Sequence, residues 1–536
     1  MNAIRKHKTI IFIILACICT AAAQGNQAIF HSSHQSKVLA LLVLYFIYFG
    51  CFYFYRRTAG LRSEENDIFF MIALGVLIRC SYVLLSGLYQ RQHDAGAYTG
   101  MGTEHVNAGH IGYIEYIYKF GKLPDVNPYE LFAYYHPPLH HIISFLWLKL
   151  NLILGVTEEL AFENLQIMTL LYSNLCMIVT YKILKLLKVT GTGLYVGMAF
   201  IVFHPATIYM SGSVNNDMLT MLLMCLTLYA GLKWIRQKNL KNLLIIGLCL
   251  AFGMVTKLNS AVMAFPLALI FLMHFIGIIR SKVKADIILW IKNYVLFGFL
   301  TGGIGLSWIV RNLIRFGEKP GVPVPGVTSP MYTEPYSLWE RLGIPALADW
   351  KFHFPFHPIS AKACNNTWVI MFQTSLFAEE YPVDLPDILL SLCQITYTLA
   401  VVLGIVTAVL LIYLMCRNLF KKPTATSGEM AGEEAYAKED ALFLLSGYVI
   451  MLVSFAAFVI IYPYTCSSDF RYVIICLVYI AIGLAYGSRY LIDDIKKLPA
   501  LTIKARIGSY VMHGINFGII AILVSATIIC MFWGQW

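Results

Sequence analysis

Apolar blocks of roughly 18–25 residues recur along the chain, parted by short polar joints, and each is long enough to cross the ~30 Å hydrocarbon core of a bilayer as a helix. Hydrocarbon offers no water to unpaired backbone groups, so the blocks must satisfy their own and are read as helices. Cations orient them, because Lys and Arg gather at cytoplasmic ends. Arg5, Lys6 and Lys8 precede an apolar run from Thr9 to Ala23. That run fits a cleaved signal peptide or, the reading adopted, a first anchor; both leave Gln24 outside. The block from Val38 to Tyr55 then runs inward to Arg56 and Arg57, and Asp67 to Leu88 runs outward. Leu165–Leu187, Met218–Trp234 and Val262–Ile279 end in the cationic runs KILKLLK, KWIRQKNLKN and RSKVK, and so run inward. Leu194–Met210, Leu243–Thr256 and Ile287–Ile309 return outward. Four more blocks start near Ile388, Leu442, Tyr472 and Tyr510, with Arg417, Lys421, Lys422, Lys496 and Lys497 inside.

The expected architecture is an all-α polytopic membrane protein of about 13 transmembrane helices, with juxtamembrane helices on the outer face. Residues 1–420 form the transmembrane core, 421–440 a flexible cytoplasmic linker of Lys, Pro, Gly, Ser and Glu, and 441–536 the C-terminal spans. The core includes a first outer loop at 89–138 and a large outer loop at 311–386, rich in Pro and aromatic residues. The stretch 136–155 is apolar too, but counting it as a crossing would put KILKLLK outside. With His140, His141, Lys149 and Asn151 spread along it, it is expected to lie as an interfacial helix that starts at Pro137 and Pro138.

Composition agrees. Of the 536 residues, 59% are hydrophobic and 13% charged, against roughly 45–50% and ~25% in a soluble domain, which excludes that class. The excess of 40 Lys and Arg over 29 Asp and Glu is explained by topology, and nucleic acid is not an expected partner. Most of the 13 Cys lie inside apolar blocks as small hydrophobes; only Cys364 and Cys466 look external and could pair.

This topology puts the unusual polar residues on one side. Asp94, Glu104, His136, Asn216, Asp217, Lys257, Arg311, Arg315, Asp469 and Arg471 fall at or beyond outer helix ends, with His93 beside Asp94. They could therefore meet in one external cavity. Arg79 lies within a span, where a cation is costly unless paired or wet. Plainer explanations stand beside each: Lys and Arg at helix ends meet lipid headgroups, Asn216 and Asp217 could cap the helix that follows them, and Asp94 could be a solvated loop carboxylate. His105, His110, His136, His140 and His141 raise the question of a metal, but their spacing is not that of a zinc helix and no metal site is assigned. Asn365-Asn366-Thr367 matches a glycosylation acceptor and is given no role.

The ordered series QHDAGAYTG, HPPL, NND, TKLNS and DFRY resembles the GT-C membrane glycosyltransferases, in particular the branch of protein O-mannosyltransferases and the lipid A aminoarabinose transferase. The resemblance covers about Asp67 to Tyr490. It implies transfer of a sugar, with inversion, from a polyprenyl-phosphate donor held among membrane lipids to a lipid, glycan or protein acceptor. The active site would be extracytoplasmic, in a multi-pass protein of the bacterial plasma membrane or the endoplasmic reticulum. Nucleotide sugars stay in the cytosol, so a transferase on the far side needs its donor carried across on a lipid. By resemblance Asp94 is the base that takes the acceptor's proton. Many relatives have Asp-Glu there and this chain has Asp-Ala, so a divalent metal is left open and not required. The leaving phosphate calls for cations, and His136, Lys257, Arg311, Arg315, Arg471 and Arg79 are the candidates; His93, Glu104, Asn216, Asp217 and Asp469 would line the site. Two other readings stand beside this one, and only the second shares its layout. A transporter or lipid flippase would place its charges near the midplane in matching halves, and an oligosaccharide ligase or polymerase would use a polyprenyl diphosphate.

Overall fold

The computed structural model describes residues 2–88, 108–321, 326–345, 361–378, 387–420, 429–493 and 503–532. Among these the regular structure is helical: α1 (Asn2–Gln24), α2 (His34–Arg57), α3 (Glu64–Leu85), α4 (Gly109–Phe120), α5 (Leu139–Ile153), α6 (Gln166–Leu186), α7 (Gly191–Phe203), α8 (Asp217–Arg236) and α9 (Leu240–Met254). There follow α10 (Ala264–Ser281), α11 (Lys284–Gly305), α12 (Ser307–Phe316), α13 (Thr367–Phe377), α14 (Asp387–Phe420), α15 (Glu429–Ile461), α16 (Cys476–Ser488) and α17 (Ile503–Phe532). Among the described residues eleven helical stretches are long and apolar enough to cross a membrane, fewer than the sequence suggests. At the places of two expected spans stand α7 and α9, apolar but only 13 and 15 residues long, or about 20 and 23 Å at 1.5 Å per residue.

The reason for the shortness of α7 is local. Pro205 disfavours a helical conformation in the residue before it, and His204 is extended (φ −70°, ψ 124°). The His204 ring then accepts from the Ala206 amide at 3.3 Å to start a single turn, Pro205–Tyr209. Arg79 of α3 closes the break: its guanidinium donates to the carbonyls of Val202 (2.8 Å), Ile201 (3.4 Å) and Gly75 (3.1 Å) and to the hydroxyls of Ser173 (2.9 Å) and Thr207 (2.6 Å). A cation at a helix C-terminus meets the negative end of the helix dipole as well as the orphan carbonyls.

Close packing follows from small residues. A Cβ at Gly193 would lie 2.4 Å from the carbonyl oxygen of Ala485, and one at Gly197 3.0 Å from that of Ala481. Glycines four residues apart thus let α7 lie directly on α16, as small residues do between membrane helices. α1 packs on α3 and α6, with Ile13, Cys17 and Ala21 buried. α2, by contrast, exposes Phe46, Phe49 and Phe54.

Polar side chains sort to two ends of the bundle. At the cation-rich end Lys185 pairs with Glu64 (2.9 Å), Arg56 with Asp67 (3.3 Å), Arg236 with Asp440 (2.7 Å) and Lys238 with Glu439 (2.8 Å). Glu64 also accepts the Gly191 amide at 2.8 Å, a carboxylate at the N-terminus of α7.

Two expectations need correction. Helix α15 begins at Glu429, so the second half of the expected 421–440 linker is helical; residues 421–428 lie outside the described residues. Past Gly428 the composition that suggested a linker is mostly Glu, Ala, Met and Lys, which favour helix. The large outer loop is likewise not all surface. It contains α13, which is apolar, 11 residues long and buried from Val369 to Met371 and from Gln373 to Phe377. Asn366 starts it, accepting from the Trp368 and Val369 amides (3.1 and 3.3 Å), and Thr367 is buried, so Asn365-Asn366-Thr367 is here a helix cap. No disulfide forms among the described residues; Cys364 instead packs with Val369, Cys393 and Tyr397.

Candidate active site

Opposite the cation-rich end, the start of α8 meets the end of α9. The Asn215 side chain, not that of Asn216, caps α8, accepting the Asp217 amide at 3.0 Å. Asn216 instead donates to the Thr256 carbonyl at 2.9 Å. That tie sets Asp217 beside Lys257, and the two form an ion pair with side chains only 3% and 9% exposed. The Lys257 ammonium lies 4.8 Å from the ring centroid of Tyr472, and the guanidinium of Arg471 5.2 Å from the same ring. Both cations thus stand on one aromatic face or edge. The turn that carries Arg471 and Tyr472, Phe470–Val473, is started by Asp469, whose carboxylate accepts the Arg471 amide at 2.8 Å.

His136 joins this group. Half-buried, it stacks on His110 (centroids 5.2 Å apart, planes 15° off parallel), and His110 stacks on His141 with a 3.0 Å nitrogen-to-nitrogen hydrogen bond. Tyr113 and Tyr134 continue the stack. Burial, then His110 and then the charge of Lys257, hold the His136 imidazole well below its usual pKa. That disfavours the imidazolium, and the neutral ring can donate or accept one hydrogen bond. The buried face of α5 is polar, with His140, His141, Ser144 and Asn151 inward, while Leu146, Leu150 and Ile153 are exposed.

So the structure brings His136, Asn216, Asp217, Lys257, Asp469 and Arg471 together. Other candidates lie apart. Arg79 is fully buried and committed to the α7 carbonyls. Arg311 donates to the Pro124 carbonyl and, at 2.8 Å, to Asn312, and stacks on Trp308 at 4.4 Å. Arg315 pairs with Asp125 at 2.5 Å with half of its side chain exposed. His93, Asp94, Glu104 and His105 lie outside the described residues. Both ends of their stretch are anchored on this side: Leu88 donates its amide to the buried Glu163 at 2.9 Å, and Gly109 donates its own to the Phe132 carbonyl at 2.9 Å. Sequence reasoning missed Glu163 and Tyr472. An acid inside the apolar ELAFENLQ and a ring next to Arg471 were the signals. Among the described residues no three His, Cys, Asp or Glu side chains are placed to hold a metal ion.

A further feature adjoins the site. An apolar cavity of about 280 Å³ lies among α7, α13, α14, α15, α16 and α17, with Phe200, Met371, Leu403, Tyr448 and Phe470 in its wall. Phe470 immediately precedes Arg471, so one turn touches both the cavity and the cationic cluster.

A multi-pass helical bundle with this polar cluster fits the class read from the motifs, a GT-C membrane glycosyltransferase. Residues 136–300 match the family model of dolichyl-phosphate-mannose-protein mannosyltransferases, a segment that includes His136, Asn216, Asp217 and Lys257. That match bears out the resemblance. No curated protein matches the chain. Among solved structures, the oligosaccharyltransferase AglB from Archaeoglobus fulgidus, in complex with an inhibitory peptide and a dolichol-phosphate, aligns over 87% of this chain at 12% identity with a TM-score of 0.44. The chain spans 56% of AglB's length. ArnT from Cupriavidus metallidurans, bound to undecaprenyl phosphate, aligns over 88% of this chain and 79% of its own at 13% identity, with a TM-score of 0.34.

Proposed function

We propose that the protein transfers one sugar from a polyprenyl-phosphate donor to an acceptor hydroxyl, at the membrane face opposite the cation-rich end, with Asp94 as base. The observation that supports this most is the placing of Lys257 and Arg471 on the ring of Tyr472, with His136 close enough to feel both charges. The acceptor oxygen attacks the anomeric carbon from the side away from the phosphate, so that carbon inverts. Its proton passes to the Asp94 carboxylate. The bond from carbon to phosphate oxygen breaks, and the phosphate keeps the electron pair. Cations already in place near that oxygen lower the barrier, because the charge they stabilise grows only in the transition state. The apolar cavity beside Phe470 suits the isoprenoid tail. With purified protein and a radiolabelled polyprenyl-phosphate sugar, Asp94→Asn is expected to lower kcat by about 10²–10⁴-fold, the usual contribution of a general base. Full turnover by that variant removes Asp94 from the role.

A further inference from the structure

The ion pair of Asp217 and Lys257 poses a physical problem. A carboxylate buried beside a cation that should serve a phosphate opposes the phosphate by like-charge repulsion. Its position is nonetheless strongly built. Asn216 ties the residue before Lys257 to the start of α8, Asn215 holds the Asp217 amide, and Asp217 is only 3% exposed. The positive end of α8 further favours the anion. Lys257 carries three N–H donors, and its ammonium is shared between that carboxylate and the ring of Tyr472.

Resting on the functional reading above, we propose that Asp217 is a resident counter-anion that holds Lys257 in the empty site, yields it to the donor phosphate, and takes it back to expel the product. The chemistry supplies the asymmetry this needs. A polyprenyl-phosphate sugar is a phosphodiester with one negative charge. When the bond between the anomeric carbon and oxygen breaks, the carrier leaves as a monoester with a second ionisable oxygen and, near neutral pH, about −1.5 to −2 charge. A fixed carboxylate opposes the monoester more than the diester, so Asp217 weakens product binding more than donor binding. Asp217 is thus a positioning residue that acts through Lys257.

The test is calorimetric titration of farnesyl phosphate, an isoprenoid monoester, into full-length protein in nanodiscs. Wild type, Asp217→Asn, Asp217→Ser and each substitution combined with Lys257→Met are compared. Asparagine keeps the shape and one acceptor for the ammonium, and serine keeps a helix-starting side chain, so the result does not hang on one variant's folding. Both are expected to bind farnesyl phosphate about tenfold more tightly than wild type, the order expected for removing one nearby charge in a partly buried site. The gain should shrink in the Lys257→Met background, where no ammonium is left to release and only direct repulsion remains, and be smaller for farnesyl methyl phosphate, the diester. Unchanged or weaker binding by both single variants overturns the proposal. If wild type itself binds no isoprenoid phosphate, the functional reading fails, a different and separable outcome.

Discussion

Three arginine and lysine side chains show how burial and partners decide what a cation does. Arg79, fully buried, spends its donors on protein carbonyls and hydroxyls from α3, α6, the end of α7 and the turn after it. Arg79→Met removes the donors from the fully buried end of α7 and is expected to cost about 3 kcal/mol, read as a lowered melting midpoint in detergent. Arg315→Ala serves as the contrast: its exposed pair with Asp125 is worth under ~1 kcal/mol, and melting should barely move. Lys257 lies between, buried yet held by one carboxylate and one ring. The histidines add a pH dependence. Burial lowers His140 to about 4 and keeps His136 and His141 well below their ordinary 6.5. As pH falls below about 6.5 the unfolded chain binds protons at these rings and the folded chain does not, so stability is lost on acidification, by up to ~1.4 kcal/mol per pH unit for each ring. Melting midpoints measured down from neutral pH should fall, and His140→Gln should flatten the slope.

Among elements, the contact between α7 and α16 has the least slack. Gly193 and Gly197 stand four residues apart, but Ala481 and Ala485, their partners, come from nearly the other end of the chain, and nothing local announces the match. Gly193→Ala drives a methyl group against the Ala485 carbonyl, so α7 must shift. A loss of about 1–3 kcal/mol is expected, measured as a lower melting midpoint. The span positions were legible because hydrophobic length and flanking cations act locally. Length misled where local chemistry overrode it: Pro205 cut one span short, and Glu429 to Asp440 made helix out of an expected linker. α13 was hidden for the opposite reason, an apolar stretch too short to count as a crossing that is buried by its neighbours.

For the molecule as a whole, sidedness was the readable quantity. His136, Asn216, Asp217, Lys257, Asp469 and Arg471 were grouped by helix ends alone, and they meet. What the sequence could not convey was the pairing within the group, since Lys257 and Asp217 pair across two helices, and burial, then His110 and Lys257, disfavour a charge on His136. Arg311 and Arg315 sit at the right end but turn to Pro124 and Asp125, a matter of loop geometry. The outward leucines of α5 carry one more implication. Helix α5 runs from Ile153 back to the prolines that follow His136, presenting an oily flank at Leu146, Leu150 and Ile153 over its C-terminal half. On the function proposed above, a carrier confined to one leaflet would meet such a flank as a kerb: wandering in a plane would become travel along a line, toward the end of α5 where the Leu139 amide is tied to the Val255 carbonyl, two residues short of Lys257.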